Sequence, residues 1–232
     1  MKTSFWTKLL DLVSPRLCVV CGRRLSPEES VLCPRCMFEL PATDFAAHPY
    51  DNLMARLFWG QFQIEKAVAM FHYVPQSEHA KIIYELKYHG HPEVGEQMGR
   101  LFARQLQATG FFEGIDGIVP MPITRSRRRQ RGYNQSEMLA RGISEQTGLP
   151  IYNKVVERTT FHESQTHVQH FERRENVQKA FRLIDGDAIA GKHLLLVDDI
   201  VTTGFSVIAC AQQLQQAPDV RISVLTLGKT KT

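Results

Sequence analysis

Short apolar runs alternate with amphipathic segments along most of the chain. Runs bounded by polar residues predict five buried strands, at residues 64–74, 117–122, 149–156, 194–197 and 220–227. Segments with helical periodicity predict four helices, at residues 79–90, 93–107, 136–146 and 207–216. Strands that alternate with helices predict an open α/β fold with a parallel sheet flanked by helices. We expect residues 117–122 to be the first strand of this parallel core and the chain after residue 227 to be a tail.

One stretch combines a predicted strand, two acids and a hydroxyl-rich turn. The apolar run at 194–197 leads into Asp198 and Asp199, and two threonines, Gly204 and a serine precede the last helix. A turn at a helix start presents backbone N–H groups and the positive end of the helix dipole, which suits a phosphate. Two adjacent carboxylates at the carboxyl end of a strand can accept hydrogen bonds from vicinal hydroxyls. The stretch therefore predicts a site for a sugar phosphate.

Five arginines in seven residues follow the predicted strand at 117–122, from Arg125 to Arg131. We expect a loop here, at the same sheet edge as the phosphate turn, where a second anionic group would bind. Guanidinium suits this role because its planar fork matches two phosphate oxygens. A solvated basic loop and a nucleic-acid contact are the alternatives. Lys87, at the end of a predicted helix, is either a cation that complements the helix dipole or a diphosphate contact.

Four of the five cysteines form two Cys-x-x-Cys pairs that are separated by eleven residues. Two such turns complete a tetrahedral shell, and four protein ligands leave no position for water, so we predict a structural zinc ion. Its ligands would be Cys18, Cys21, Cys33 and Cys36. The fifth cysteine, Cys210, is predicted to be a small core residue.

The predicted zinc ribbon, at about residues 15–45, is small enough to need its metal to fold. We expect a first domain at 1–48, which also holds a short N-terminal helix, and an α/β domain at 49–232. Both a capping role for the ribbon and a nucleic-acid contact are open. The formal net charge of +4 is mild, and no apolar run reaches the roughly 18 residues that a membrane span needs. We therefore expect a cytoplasmic protein without membrane insertion.

The motifs resemble those of known families. The stretch at 194–206 resembles the signature with which type I phosphoribosyltransferases bind 5-phosphoribosyl 1-diphosphate (PRPP): an apolar strand, Asp-Asp, then Thr-Thr-Gly-x-Thr/Ser. The order of features along nearly the entire chain resembles the ComF family. These features are the four cysteines, Leu-Lys-Tyr-x-Gly at 86–90, Val-Pro-Met-Pro at 119–122, Arg-Gly-Tyr-Asn-Gln at 131–135, Gln-x7-Arg-x2-Asn at 165–176 and the Asp-Asp turn. One departure is Met37, where the family has a glycine after the second Cys-x-x-Cys.

The resemblance implies a type I phosphoribosyltransferase-like fold with a zinc ribbon, and roles for individual residues. The ribose 2′ and 3′ hydroxyls would face Asp198 and Asp199. The 5′-phosphate would be held by Thr202, Thr203, Gly204, Phe205 and Ser206. The diphosphate would be bound by Lys87, Arg125, Arg129 and Arg131. A flap that closes over the substrate would carry Gln165, Arg173 and Asn176. Mg²⁺ would be bound chiefly by PRPP itself.

The resemblance further implies a PRPP-binding competence protein that supports the cytoplasmic handling of imported single-stranded DNA in natural transformation, with other DNA-uptake proteins as partners. Mg²⁺-dependent phosphoribosyl transfer is compatible with it, but turnover, the acceptor, the catalytic residues and the oligomeric state stay open. Two alternatives remain. One is a metabolic phosphoribosyltransferase with a base or amine as acceptor, and the other is a nucleic-acid-binding module with a vestigial transferase site.

Overall fold

The structure, a computed structural model, describes residues 15–88, 90–159 and 180–231. Its strands are β1 Ile64–Tyr73, β2 Gly117–Pro120, β3 Val156–Arg158, β4 Phe181–Leu183, β5 His193–Val201 and β6 Arg221–Thr230. Its α-helices are α1 Pro34–Phe38, α2 Ala80–Tyr88, α3 Pro92–Gln107, α4 Arg125–Arg131, α5 Gln135–Thr147 and α6 Phe205–Leu214. Short 3-10 helices lie at Ala55–Leu57 and Asp187–Ile189. Within these ranges no helix combines the length and the apolar character that crossing a bilayer requires.

Four parallel strands form the central sheet, in the order β1-β6-β5-β2. The two central strands, β5 and β6, are buried along most of their length, which explains their continuous apolar runs. This arrangement confirms the predicted open parallel sheet flanked by helices. The expected first strand of the core is wrong, however, because β1 also belongs to the sheet and pairs with β6.

Helices α3 and α5 cross at a very short distance because two glycines face the opposite backbone. A Cβ atom added to Gly99 would lie 2.3 Å from the carbonyl oxygen of Leu139. A Cβ atom added to Gly142 would lie 1.9 Å from the carbonyl oxygen of Glu96. Any larger residue would push the helices apart and displace α5, whose first turn reaches the candidate site.

The strand predicted at residues 149–156 is wrong. Ile151 makes only an isolated parallel bridge to Ile118 of β2. The chain then bends at Lys154, and β3 begins at Val156, where it pairs antiparallel with β4 in a separate two-stranded sheet. The segment leaves β2 after this one bridge because Val156 to Arg158 pair with β4 instead.

The predicted tail after residue 227 is also wrong, because β6 continues to Thr230. Gly228 pairs with Phe71 of β1 and with Ile200 of β5. A strand with neighbours on both sides keeps its backbone hydrogen bonds for as long as those neighbours extend. The composition of the last residues does not reveal this.

The cysteine-containing segment packs on β1 and α2. Ala42 forms an antiparallel bridge with Phe71. The Lys81 ammonium group donates a hydrogen bond to the Val20 carbonyl at 3.1 Å, and a ring nitrogen of His79 lies 3.2 Å from the Cys36 carbonyl oxygen. Helix α2 therefore connects the cysteines at its start with the carboxyl edge of the sheet at its end. The domain boundary at residue 48 stays a prediction.

Candidate functional site

The two acids lie inside β5, which continues beyond them to Val201 instead of ending with them as predicted. Neighbouring residues of a strand project to opposite faces, so the two carboxylates have different partners. Asp198 Oδ1 accepts hydrogen bonds from the Ser136 hydroxyl at 3.0 Å and from the Asp199 backbone N–H at 2.9 Å. Asp199 Oδ2 lies 3.3 Å from Lys87 Nζ. One acid is thus held against the start of α5 and the other against the end of α2.

Asp198 holds its proton more tightly than an ordinary carboxyl group. Burial, and then the negative charge of Asp199, raise the pKa of Asp198 to about 7. The Asp199 N–H, the Ser136 hydroxyl and Lys87 act in the opposite direction but do not cancel this effect. A carboxylate in such surroundings would be stabilised by further hydrogen-bond donors, and a perturbed pKa of this kind is typical of functional sites.

Two residues near Asp198 are not singled out by the sequence analysis. Arg158, at the end of β3, lies 5.2 Å over the Phe181 ring. Burial and the charge of Arg127 lower the pKa of Arg158, while the charge of Asp198 raises it, so these groups lie within electrostatic range of one another. The second residue, Ser136, directly follows the Arg-Gly-Tyr-Asn-Gln motif. This adjacency is the one sequence signal that pointed to either residue.

The turn after β5 requires glycine at the start of α6. Gly204 is the N-cap of α6, has a φ of 80° and, as a glycine, brings no side chain to cap this helix. A Cβ atom here would lie 3.0 Å from Phe58 Cε1, so both the backbone conformation and the available space favour glycine. Thr202 and Thr203 are exposed in the turn. A helix start without a side-chain cap, next to exposed hydroxyls, is suited to an anion.

The residues predicted to bind diphosphate lie at two places. Lys87 reaches the acidic pair, and the Arg131 guanidinium lies 5.5 Å over the Tyr88 ring, so both are at the end of α2. Arg125 and Arg129 are exposed residues of α4. The structure therefore brings Lys87 to the acids directly and places the arginines on a neighbouring surface.

The loop predicted at residues 125–131 is a helix. Thr124 is its N-cap and accepts a hydrogen bond from the Arg127 N–H at 3.3 Å. Gly132 ends it in the left-handed conformation, with a φ of 81°. Good caps at both ends stabilise a short helix despite the repulsion among its arginines.

A cavity of about 150 Å³ opens at the carboxyl end of β2, next to α4 and β3. Three guanidinium groups line it, those of Arg125, Arg128 and Arg158. Glu137, at the start of α5, also lines it and pairs with Arg128 at 3.1 Å. Cationic groups therefore occupy the same sheet edge as the acidic pair. The predicted flap residues fall outside the described residues; they are Gln165, Arg173 and Asn176.

The four predicted metal ligands come together. The sulfur atoms of all four lie within 4.8 Å of one another, and three of the four cysteines are buried. These residues are Cys18, Cys21, Cys33 and Cys36. The first pair closes through a Gly22 N–H to Cys18 carbonyl hydrogen bond of 2.8 Å. The second pair spans the start of α1, where the Met37 N–H donates a hydrogen bond to the Cys33 carbonyl at 2.9 Å. This helical turn stands where the family pattern has a turn with glycine.

The environment of Cys18 favours a thiolate. Burial alone would raise the pKa of its thiol. Hydrogen bonds from the backbone N–H groups of Cys21, Cys33 and Val20 outweigh burial and lower this pKa to about 7. Four convergent sulfurs with such N–H donors are a donor set that can hold a metal ion.

Comparison with known proteins gives the following relatives. No protein-family model matches the chain. Over 217 residues, which cover 92% of this chain and 90% of the relative, it is 29% identical to DNA utilization protein YhgH of Salmonella typhimurium. The same identity, length and coverage are found for DNA utilization protein YhgH of Escherichia coli. Competence protein F of Haemophilus influenzae is 23% identical over 225 residues, which cover 91% of this chain and 96% of the relative.

Solved structures with similarity to this fold are phosphoribosyltransferases. Glutamine PRPP amidotransferase from B. subtilis has a TM-score of 0.41 and 18% identity, covering 60% of this chain and 30% of that one. Adenine phosphoribosyltransferase from Leishmania tarentolae has a TM-score of 0.38 and 11% identity, covering 78% of this chain and 88% of that one.

The parallel sheet, the acidic pair before a hydroxyl-rich turn and the four-cysteine cluster define an α/β protein with an N-terminal cysteine module. The relatives confirm the resemblance to the ComF family, because similarity to DNA utilization protein YhgH and to competence protein F extends over most of this chain.

Proposed function

We propose that this protein binds PRPP at the carboxyl edge of its sheet. Asp198 and Asp199 accept hydrogen bonds from the ribose hydroxyls. The 5′-phosphate sits at the start of α6, in the turn formed by Thr202, Thr203, Gly204, Phe205 and Ser206. The observation that carries the proposal is the position of the acids: they are consecutive residues near the carboxyl end of β5, shortly before the glycine N-cap at which α6 starts.

Lys87 has a positioning role in this proposal. It lies 3.3 Å from Asp199, and both side chains are largely buried. A cation here orients the Asp199 carboxylate as a hydrogen-bond acceptor, and it adds a positive charge where the leaving diphosphate would develop negative charge. The guanidinium groups at the cavity, including Arg125, extend this positive environment. Arg129 and Arg131 complete the proposed diphosphate set.

Two metal ions belong to the proposal. Zn²⁺ occupies the four-cysteine cluster and has a structural role, because four thiolates leave it no open position. Mg²⁺ enters with PRPP and neutralises part of its diphosphate charge, while most of its ligands are PRPP oxygens and water. The residues that this chain contributes bind and orient the sugar. The nucleophile of any transfer belongs to the acceptor.

The biological role that we propose is the handling of single-stranded DNA during DNA uptake, in the cytoplasm and together with other uptake proteins. Its support is the similarity to proteins named for DNA utilization and for competence. Regulation by PRPP or phosphoribosyl transfer would both use the site described above.

Calorimetric titration with PRPP and Mg²⁺ tests the proposal. We expect saturable binding by the wild type. The double variant Asp198→Asn, Asp199→Asn should bind about 100-fold more weakly or worse, because two charge-assisted hydrogen bonds to the sugar are weakened. Asp219→Asn is a matched control, because Asp219 is exposed in the loop before β6 at the opposite sheet edge and has a positive φ that asparagine tolerates.

The proposal fails if the folded wild type does not bind PRPP. It also fails if the double variant binds PRPP as tightly as the Asp219→Asn control.

A further inference from the structure

One face of α2 carries exposed tyrosines. Tyr84 and Tyr88 are four residues apart, so their side chains lie one turn apart on the same side of the helix. They are 42% and 63% exposed, and their ring centroids are 6.1 Å apart at an angle of 33°. We call this pair the tyrosine face. Two neighbouring rings that are exposed to this extent offer an aromatic surface on which a ligand can stack.

The tyrosine face begins beside the acidic pair. Lys87 lies on the same side of α2 and pairs with Asp199 at 3.3 Å. Tyr73, the last residue of β1, is half-buried. Its burial raises its pKa most, its hydrogen bond with Tyr84 raises it further, and the charge of Asp199 adds a smaller increase. The exposed rings are therefore continuous with the carboxyl edge of the sheet.

The arginine helix α4 ends on the tyrosine face. Arg131, its last residue, places a guanidinium 5.5 Å over the Tyr88 ring. The Tyr133 hydroxyl, just after α4, donates a hydrogen bond to the Leu86 carbonyl at 2.8 Å and fastens the two segments together. Stacking rings and a row of cations thus form one surface, with the rings on α2 and the arginines on α4.

We propose that this surface binds single-stranded nucleic acid, with bases stacked on Tyr84 and Tyr88 and phosphates held by the arginines of α4. Base–aromatic stacking next to a cationic track is how proteins hold single strands without regard to sequence. The inference extends the proposed DNA handling, on which it rests, to a particular surface. According to this inference, the nucleic-acid strand binds neither to the cysteine module nor to the arginines alone.

Because the two rings are exposed, they suit a nucleic-acid strand better than a free nucleobase as the ligand. Sites for small ligands are concave and bury most of the ligand surface. The tyrosine face is open, so a free base would stack on one side only and leave its other side in water. A strand supplies several bases and phosphates at once, and its combined contacts compensate for the weakness of each.

Fluorescence anisotropy with two labelled strands tests the inference. One is a short oligothymidine and the other an abasic strand of the same length, which has phosphates but no bases. The wild type should bind the oligothymidine more tightly. Tyr84→Ala with Tyr88→Ala should weaken oligothymidine binding about 10- to 100-fold but abasic binding no more than about twofold, since only stacking is lost. Replacing Arg127 and Arg129 by glutamine should weaken both strands alike and reduce the salt dependence.

Two matched variants control for folding and for surface aromatics. Tyr84→Phe with Tyr88→Phe keeps both rings and should restore oligothymidine binding to within about twofold of the wild type, because stacking needs no hydroxyl. Tyr50→Ala removes another exposed tyrosine. Its neighbour Pro49 accepts a hydrogen bond from the Ala67 N–H in the first half of β1, so Tyr50 lies at another part of the sheet. This variant should behave as the wild type.

The inference is overturned if the wild type binds both strands equally or binds neither. It is also overturned if the double alanine variant keeps wild-type oligothymidine affinity, or if free thymidine competes as well as the strand. A parallel PRPP titration separates the two proposals. If the wild type does not bind PRPP but binds the oligothymidine through the two tyrosines, the proposed PRPP site is contradicted and the proposed nucleic-acid surface is supported.

Discussion

The four-cysteine cluster and the acidic pair are both groups of ionisable side chains in a largely apolar fold, but one is closed and the other open. The sulfurs face one another within 4.8 Å, a spacing at which all four could hold a single metal ion. The acids point to different partners, on α5 and α2, and a cavity opens at the same sheet edge. The first group has the geometry to be completed by a metal ion, whereas the second lies at the same sheet edge as a cavity that other residues line.

The two regions also differ in how the chain assembles them. The cysteines come from two short turns that lie close in sequence. The acidic site draws Asp199 from β5, Lys87 from α2 and Ser136 from α5, which only the complete fold brings together. We therefore expect the cysteine module to depend on its metal and the acidic site to depend on the packing of the sheet and helices.

The largest expected effect is the loss of metal from the cysteine module. Cys33→Ser removes a buried ligand, and the module should lose its metal and unfold locally, because a structural zinc site contributes on the order of 10 kcal/mol to folding. Metal content of the purified protein and its thermal unfolding measure this. A strong chelator should have the same effect on the wild type.

The fifth cysteine provides the control for that experiment. Cys210 is fully buried in α6, away from the cluster, as predicted for a core residue. Cys210→Ala should keep the metal and lower stability only modestly, by about 1 kcal/mol for the small cavity. If Cys33→Ser retains one metal ion per chain, the closed, metal-dependent character of the module is contradicted.

The next effect concerns the turn of the open site, and two glycines allow a matched comparison. Gly204 and Gly191 have φ values of 80° and 71°, so alanine is strained at either position. A Cβ atom at Gly204 would also press on Phe58, whereas none of the described atoms lies within 4 Å of one at Gly191. Gly191→Ala should lose about 1 kcal/mol of stability and Gly204→Ala more because of the contact with Phe58, but only Gly204→Ala should lose PRPP affinity, by about tenfold or more.

Denaturant unfolding and calorimetry on the two glycine variants check this prediction. An equal loss of PRPP affinity in both would show that general destabilisation, and not the turn, is responsible. Unchanged PRPP affinity in Gly204→Ala would remove the turn from the phosphate site.

Features that are local in sequence were predicted best. The strand, acids and turn around Asp198, and the spacing of the cysteines, carry their chemistry in consecutive residues, and hydrophobic runs predicted the parallel sheet. The errors occurred where neighbours in space decide. The point at which β6 ends depends on its neighbours β1 and β5. The structure of residues 149–156 depends on where the chain leaves the edge strand β2 and pairs with β4.

The site shows the same division. The sequence placed Lys87 near the end of a helix but could not show that Asp199 is its partner. Arg158 was missed because a charged residue at the end of a short strand has no pattern that distinguishes it from a solvated one. The helix α4 was missed because five like charges suggest a loop, although Thr124 and Gly132 flank it as caps.

The last expected effect is a pH dependence of the unfolding free energy, and the acidic site and the cysteine module should differ in it. In the folded protein the pKa of Asp198 is raised to about 7, above its ordinary value of 3.8. The folded state therefore holds this proton more tightly than the unfolded state does. The resulting stabilisation is fully present below the ordinary pKa and is lost as the pH rises through about 7.

Asp198→Asn removes this titration while it keeps an acceptor for the Ser136 hydroxyl and the Asp199 N–H. Between about pH 5.5 and about pH 8.5 the wild type should lose about 2 kcal/mol of unfolding free energy relative to the variant. Urea unfolding at both pH values measures this, with Asp219→Asn as the control that follows the wild type. A variant that is less stable than the wild type by the same amount at both pH values would mean that the Asp198 carboxyl group does not titrate in this range. An acidic site that binds an organic ligand is expected to lower the stability of the fold when its carboxyl group is ionised and no ligand is bound. In the cysteine module, by contrast, removal of a metal-binding cysteine can only destabilise the fold.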